Sequence, residues 1–219
     1  MTAELLGIPA DLAITDAAYC LAFIDESPNE AIESRRTVFM PHHKTELEVD
    51  WQSLCSDLGW HYLSPASTVE SGLRMLRAAK LVVTEAMHGA IVADLYRVPW
   101  VPVRYGFRFL DFKWQDWCRS LAIDYNPIDL PPLLDARLGV RETIERAAKK
   151  TSAYLGLGKT RWKFTPVFRS GREARDHALK LLGTASNGNR AVLSSDTMLD
   201  SVITRLGETV ERFRADHTR

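Results

Sequence analysis

Glu85, His88 and Gly89 stand where a β-branched run gives way to an amphipathic segment, a placement that combines an acid/base group with an anion cradle. Leu81, Val82 and Val83 predict a strand buried on both faces, as in a parallel sheet. Met87, Ile91, Val92 and Leu95 then repeat at helical spacing. His88 therefore falls in the turn at the carboxyl end of a strand. In open α/β sheets that edge binds ligands, and the first amides of the following helix favour a phosphate or carboxylate. An imidazole there is suited to giving and taking protons at neutral pH; simple capping of the helix is the alternative role. Glu85 either orients the imidazole, accepts a proton from a substrate, or serves only as an acid in a helix first turn. Met87, which flanks the imidazole, and Gly89, which leaves room for close backbone approach, are expected to contact the substrate.

Three further groups map to the same edge. Pro41-His42-His43-Lys44 follows a second strand, so His42, His43 and Lys44 can face the crevice that His88 faces, or form an ordinary solvated loop. Arg104 and Arg108 follow another strand end, and either guanidinium can grip a phosphate or carboxylate with two hydrogen bonds. Trp114 and Trp117 can offer faces to a sugar, whereas Phe109, Phe112 and Trp117 equally read as packing. Two adjacent histidines without a third ligand do not make a metal site, so no metal and no cofactor is expected.

The elements that must position these residues alternate at βαβ spacing. Val38-Phe39-Met40 reads as a strand, followed by a helix with Trp51, Leu54, Cys55 and Leu58 on one face and Gly59 as its C-cap. Tyr62-Leu63 reads as a short strand, and Ser67 with Glu70 as the capping box of a helix bearing Leu73 and Leu76. After the Leu81 strand and His88 helix, prolines around Trp100-Val101-Pro102-Val103 suggest a strand near the periphery of the sheet. A helix over 110–122 and a strand over 123–128 complete an α/β, Rossmann-like parallel sheet flanked by helices. Beyond Pro131-Pro132 a helical C-terminal extension is expected, with helices over 139–155 and 172–183, a linker over 184–189 and a last helix over 196–216. The division expected is 1–132 for the Rossmann-like domain, 133–183 for helices packing on it, and 184–219 for linker and terminal helix. Leu199, Val202, Ile203, Leu206, Val210 and Phe213 form a narrow stripe on that last helix. The stripe docks on its own domain or serves homo-oligomer formation.

Composition bounds the partners. The 219 residues are 46% apolar, enough for a sizeable core, and 28 basic residues balance 28 acidic ones, so no global field favours nucleic acid. Cys20, Cys55 and Cys118 form no C-x-x-C pair and fit reduced thiols in a cytoplasmic protein. No apolar run reaches the roughly 18 residues that a bilayer span requires.

The run Thr84-Glu85-Ala86-Met87-His88-Gly89-Ala90-Ile91-Val92-Ala93-Asp94, followed by Arg97-Val98-Pro99-Trp100-Val101-Pro102, resembles the signature region of the polysaccharide pyruvyl transferase family. A weaker likeness covers residues 2–131, including 5–16 and Lys113-Trp114-Gln115-Asp116-Trp117, and is nearest the branch acting on acidic exopolysaccharides such as succinoglycan. The resemblance implies the C-terminal half of a two-domain, glycosyltransferase B-like architecture. It also implies transfer of the enolpyruvyl unit of phosphoenolpyruvate to a sugar of an exopolysaccharide or its lipid-linked precursor, closing a ketal, with peripheral association with membrane-bound polysaccharide machinery. His88 is then the leading catalytic residue. Many members carry arginine two residues before this histidine, where this chain has Ala86, so either another cation, with Lys44 supplying part of it, serves the donor or donor binding is weak. Relatives commonly continue N-terminally of the Thr2-Ala3-Glu4-Leu5-Leu6-Gly7 region, which reads as a truncated gene product or a late start. Two other readings are a ligand-binding remnant without turnover and a nucleotide-sugar glycosyltransferase of the same architecture; the latter lacks a clear diphosphate-binding sequence.

Overall fold

A computed structural model describes residues 2–9, 12–24, 36–106, 110–133, 172–187 and 189–217. The centre is a five-stranded sheet of order β2-β1-β3-β4-β5, formed by β1 (Thr37–Met40), β2 (His61–Tyr62), β3 (Leu81–Thr84), β4 (Trp100–Tyr105) and β5 (Ile128–Leu130). Every pairing is parallel. This is a Rossmann-like α/β fold whose strand order reverses between β1 and β3. In such doubly wound sheets a crevice opens at that reversal, beyond the carboxyl ends of the two strands.

Burial follows the alternation of the strands. Val38, Val82 and Trp100 pack on one side against α3 (Val69–Ala78), α4 (Met87–Leu95) and α5 (Asp111–Ser120). Phe39, Val83 and Val101 face α2 (Trp51–Leu58) and the helix Arg172–Gly183 on the other. All four residues of β3 are buried, as a strand covered on both faces requires. Gly59 ends α2 at φ 67°, its amide donating to the Cys55 and Ser56 carbonyls.

Several boundaries differ from the sequence reading. Thr68, not Ser67, caps α3, its side chain accepting from the Ser71 amide. β4 lies inside the sheet, paired with β3 and β5, despite Pro102. The last strand lies at Ile128–Leu130 rather than over 123–128, and the second at His61–Tyr62. Within the expected linker, Thr184–Asn187 forms a 3-10 turn and Ala185 is fully buried. The terminal helix Asp196–His217 docks Leu199, Val202 and Leu206 into the core of its own domain. Phe213, near its far end, is exposed. The helix expected over 139–155 lies outside the described residues. Among those described, no helix is long and apolar enough to cross a membrane. Burial pushes the Cys55 and Cys118 thiols up to about 12, which suppresses the reactive thiolate.

Candidate active site

The turn after β3 is built by its own hydroxyl. Thr84 Oγ1 accepts from the Ala86 amide at 2.9 Å and lies 3.0 Å from the carbonyl oxygens of Met40 and Ala86, either of which it can donate to. Gly89 is buried against this turn, where an added Cβ would lie 2.9 Å from both Met40 Sδ and Thr84 Oγ1. The space at Gly89 is therefore taken by the protein itself, and the glycine lets α4 approach the sheet rather than leaving a gap for a ligand. Ala86, the N-cap of α4, has no side-chain bond to the first-turn amides, so the positive end of the helix dipole lacks a protein anion at that position.

His88 projects from this first turn with 70% of its side chain exposed, and its Nε2 lies 3.9 Å from Asp16 Oδ1. Asp16 is only 26% exposed. It caps a 3-10 helix, Ala17–Phe23, by accepting from the Ala18 amide at 2.8 Å. One turn further, the Tyr19 hydroxyl donates to Asp94 Oδ2 at 2.9 Å. The 3-10 helix is thus bonded to the end of α4 while its cap faces the imidazole at the beginning.

Glu85, a candidate acid or base, is enclosed by the protein. It is 2% exposed and accepts at Oε2 from the His42 amide at 3.0 Å and from the Thr45 hydroxyl. Burial raises its pKa to about 7, opposed by those two hydrogen bonds. Glu85 fastens the loop after β1 to the turn after β3. On that loop, His42 Nδ1 accepts from the Lys44 amide at 3.2 Å, which puts the proton of the neutral ring on Nε2. The His42 and His43 rings lie 4.2 Å apart. Burial lowers the His42 pKa, with the charges of His43, Lys44 and Lys113 adding to the effect. His43 and Lys44 are exposed.

Two expected ligands are otherwise engaged. Arg104 forms hydrogen bonds to Asp129 and donates to both carboxylate oxygens of Asp111 at 3.0 and 2.9 Å, so its guanidinium is held between two protein acids. The Asp129 bond holds it firmly charged. Trp114 is 4% exposed and stacks on Tyr125 at 5.5 Å, with Trp100 and Trp117 beside it, so it offers no face to a sugar. Arg108 lies outside the described residues. Met87 is half-buried against the core. Among the described residues no cluster of three metal-ligating side chains occurs.

Sequence reasoning singled out neither Asp16, Thr45 nor Lys113. Asp16 is far from His88 in the chain, and its capping of a short 3-10 helix leaves no periodic apolar signal. Lys113, in the first turn of α5, is visible only through its electrostatic effect on His42.

Comparison with known proteins matches residues 18–106, from the 3-10 helix to the end of β4, to the family model described as polysaccharide pyruvyl transferase. The chain is also similar to the succinoglycan biosynthesis protein ExoV of Rhizobium meliloti (strain 1021), with 33% identity over 131 residues, covering 60% of this chain and 41% of that protein. The chain thus spans about two fifths of the length of that relative. No solved structure matches the chain.

Proposed function

On the premise that the chain is, through residues 18–106, a member of the polysaccharide pyruvyl transferase family, we propose that it takes part in transferring a pyruvyl group from phosphoenolpyruvate to a saccharide of an exopolysaccharide or its lipid-linked precursor. The carrying observation is the exposed imidazole of His88 on the first turn of a helix whose N-cap provides no side-chain anion. The first-turn amides and helix dipole favour the donor's phosphate or carboxylate. The imidazolium protonates the methylene carbon of the enol ether. The carbon bearing the phosphate becomes electron-poor and is attacked by a saccharide hydroxyl; phosphate departs and a second hydroxyl closes the ketal. Lys44, on the loop after β1, and Lys113, in the first turn of α5, supply positive charge in place of the arginine that Ala86 replaces. The setting in which we place this reaction is the cytoplasmic side of membrane-bound polysaccharide machinery.

The test is incubation of the purified chain with phosphoenolpyruvate and chemically depyruvylated succinoglycan fragments. Product is read as the ketal methyl singlet by NMR, together with released phosphate. Ketal formed by the wild type and absent with His88→Ala supports the reading; equal product from both sinks it. A second reading, donor binding without turnover, draws on the enclosure of Glu85, whose carboxylate is spent on the His42 amide and the Thr45 hydroxyl rather than presented to a substrate proton. It predicts saturable donor binding with no ketal.

A further inference from the structure

Within 4 Å of His88 Nε2 lies one carboxylate that the donor chemistry above leaves unused, Asp16 Oδ1 at 3.9 Å. We propose that Asp16 is a further catalytic residue, the base that takes the proton of the attacking saccharide hydroxyl while His88 protonates the donor. The inference rests on the pyruvyl-transfer reading.

The carboxylates of Glu85 and Asp16 have opposite fates. Glu85 is enclosed and spends its oxygen on the loop after β1, accepting from the His42 amide and the Thr45 hydroxyl. Asp16 keeps contact with solvent at 26% exposure. Its position is also fixed. The Ala18 amide holds Oδ1 at 2.8 Å, and the 3-10 helix it caps is tied to α4 by the Tyr19–Asp94 bond of 2.9 Å. Asp94 accepts in addition from Trp100 Nε1 at 3.3 Å and from the Ser194 amide and hydroxyl at 2.8 and 2.7 Å, so the tether is anchored by three residues. A base must be held in place before the substrate arrives to contribute its full effect. Here α4 carries the acid at its start and anchors the base from its end.

The proton balance closes on this pair. His88 Nε2–H gives its proton to the methylene carbon, forming a C–H bond. The first saccharide oxygen bonds to the adjacent carbon, and its proton goes to Asp16. The carbon–oxygen bond to phosphate then breaks, and the second hydroxyl closes the ketal, its proton leaving with the phosphate. Asp16 returns its proton to the vacated Nε2, a path that the 3.9 Å separation makes short.

The variant Asp16→Asn separates this role from a structural one, because asparagine caps helices about as well as aspartate. An acid next to a donor carrying several negative charges repels it. Asp16→Asn should therefore bind phosphoenolpyruvate about threefold more tightly by calorimetry, at an unchanged unfolding midpoint. The ketal-forming kcat should fall about 100-fold or more. Weaker or unchanged donor binding, or a kcat within threefold of wild type, overturns the assignment of Asp16 while leaving pyruvyl transfer standing. A wild-type chain that binds donor but forms no ketal, or that binds no donor, removes the pyruvyl-transfer reading and this role together.

Discussion

The amide of His42 donates to Glu85 Oε2 at 3.0 Å, joining the loop after β1 to the turn after β3 across the point where the strand order reverses. The acceptor is a carboxylate 2% exposed whose pKa burial raises from 4.5 to about 7. Its protonated form is thus favoured in the folded chain. The stabilisation linked to this proton is fully present below about pH 4.5 and is lost as pH rises through about 7. Its full extent is on the order of 3 kcal/mol. Glu85→Gln keeps an oxygen to accept from the His42 amide and does not titrate. In urea unfolding it should therefore gain stability relative to wild type between pH 5 and pH 8, by roughly 2–3 kcal/mol. A difference independent of pH would show that Glu85 does not carry this proton.

Asp94 is fully buried and accepts from the Tyr19 hydroxyl, Trp100 Nε1, and the Ser194 amide and hydroxyl. Removing it leaves buried donors without an acceptor. Asp94→Ala should cost about 3–5 kcal/mol, whereas Tyr19→Phe, which deletes one donor, should cost about 1–2 kcal/mol. Chemical denaturation compares the two. Equal losses would mean that the Ser194 bonds contribute little to holding the terminal segment.

The β3–α4 unit was legible because its two periods change at His88: an apolar run, then apolar residues at helical spacing. The loop with His42 was legible for the same reason, as it follows a strand ending at a proline. Asp16 was not, because its partner lies across the tertiary fold and no local pattern encodes a contact of that range. Trp114 shows the converse: an aromatic at helical spacing fits a core or a platform equally, and the proximity of Trp100, Trp117 and Tyr125 decided for the core. Arg104 was legible as a cation at a strand end. Its neutralisation by Asp129 was hidden until β5 was placed beside β4 in register with it.

Gly89→Ala tests how tightly α4 is seated. The new methyl would meet Met40 Sδ and Thr84 Oγ1 at 2.9 Å; the methionine can yield, but Thr84 is held by its bonds to the turn. A loss of about 1–3 kcal/mol is expected. A thermal unfolding midpoint equal to wild type would show that the turn gives way freely.

Arg104→Ala should leave phosphoenolpyruvate affinity within about twofold, because the guanidinium is occupied by Asp111 and Asp129. Both acids are substantially exposed, so solvent screening limits the stability loss to about 1 kcal/mol. A tenfold loss of donor affinity in calorimetric titration would show that Arg104 exchanges its acids for the donor.

Calorimetric titration of the purified wild-type chain and His88→Ala with phosphoenolpyruvate tests most directly that the first turn of α4 holds the donor. The account predicts saturable wild-type binding that weakens about tenfold in the variant, since an imidazolium–anion hydrogen bond of about 1.5 kcal/mol or more is removed. Absence of binding at millimolar donor, or identical affinity in the two proteins, would contradict it.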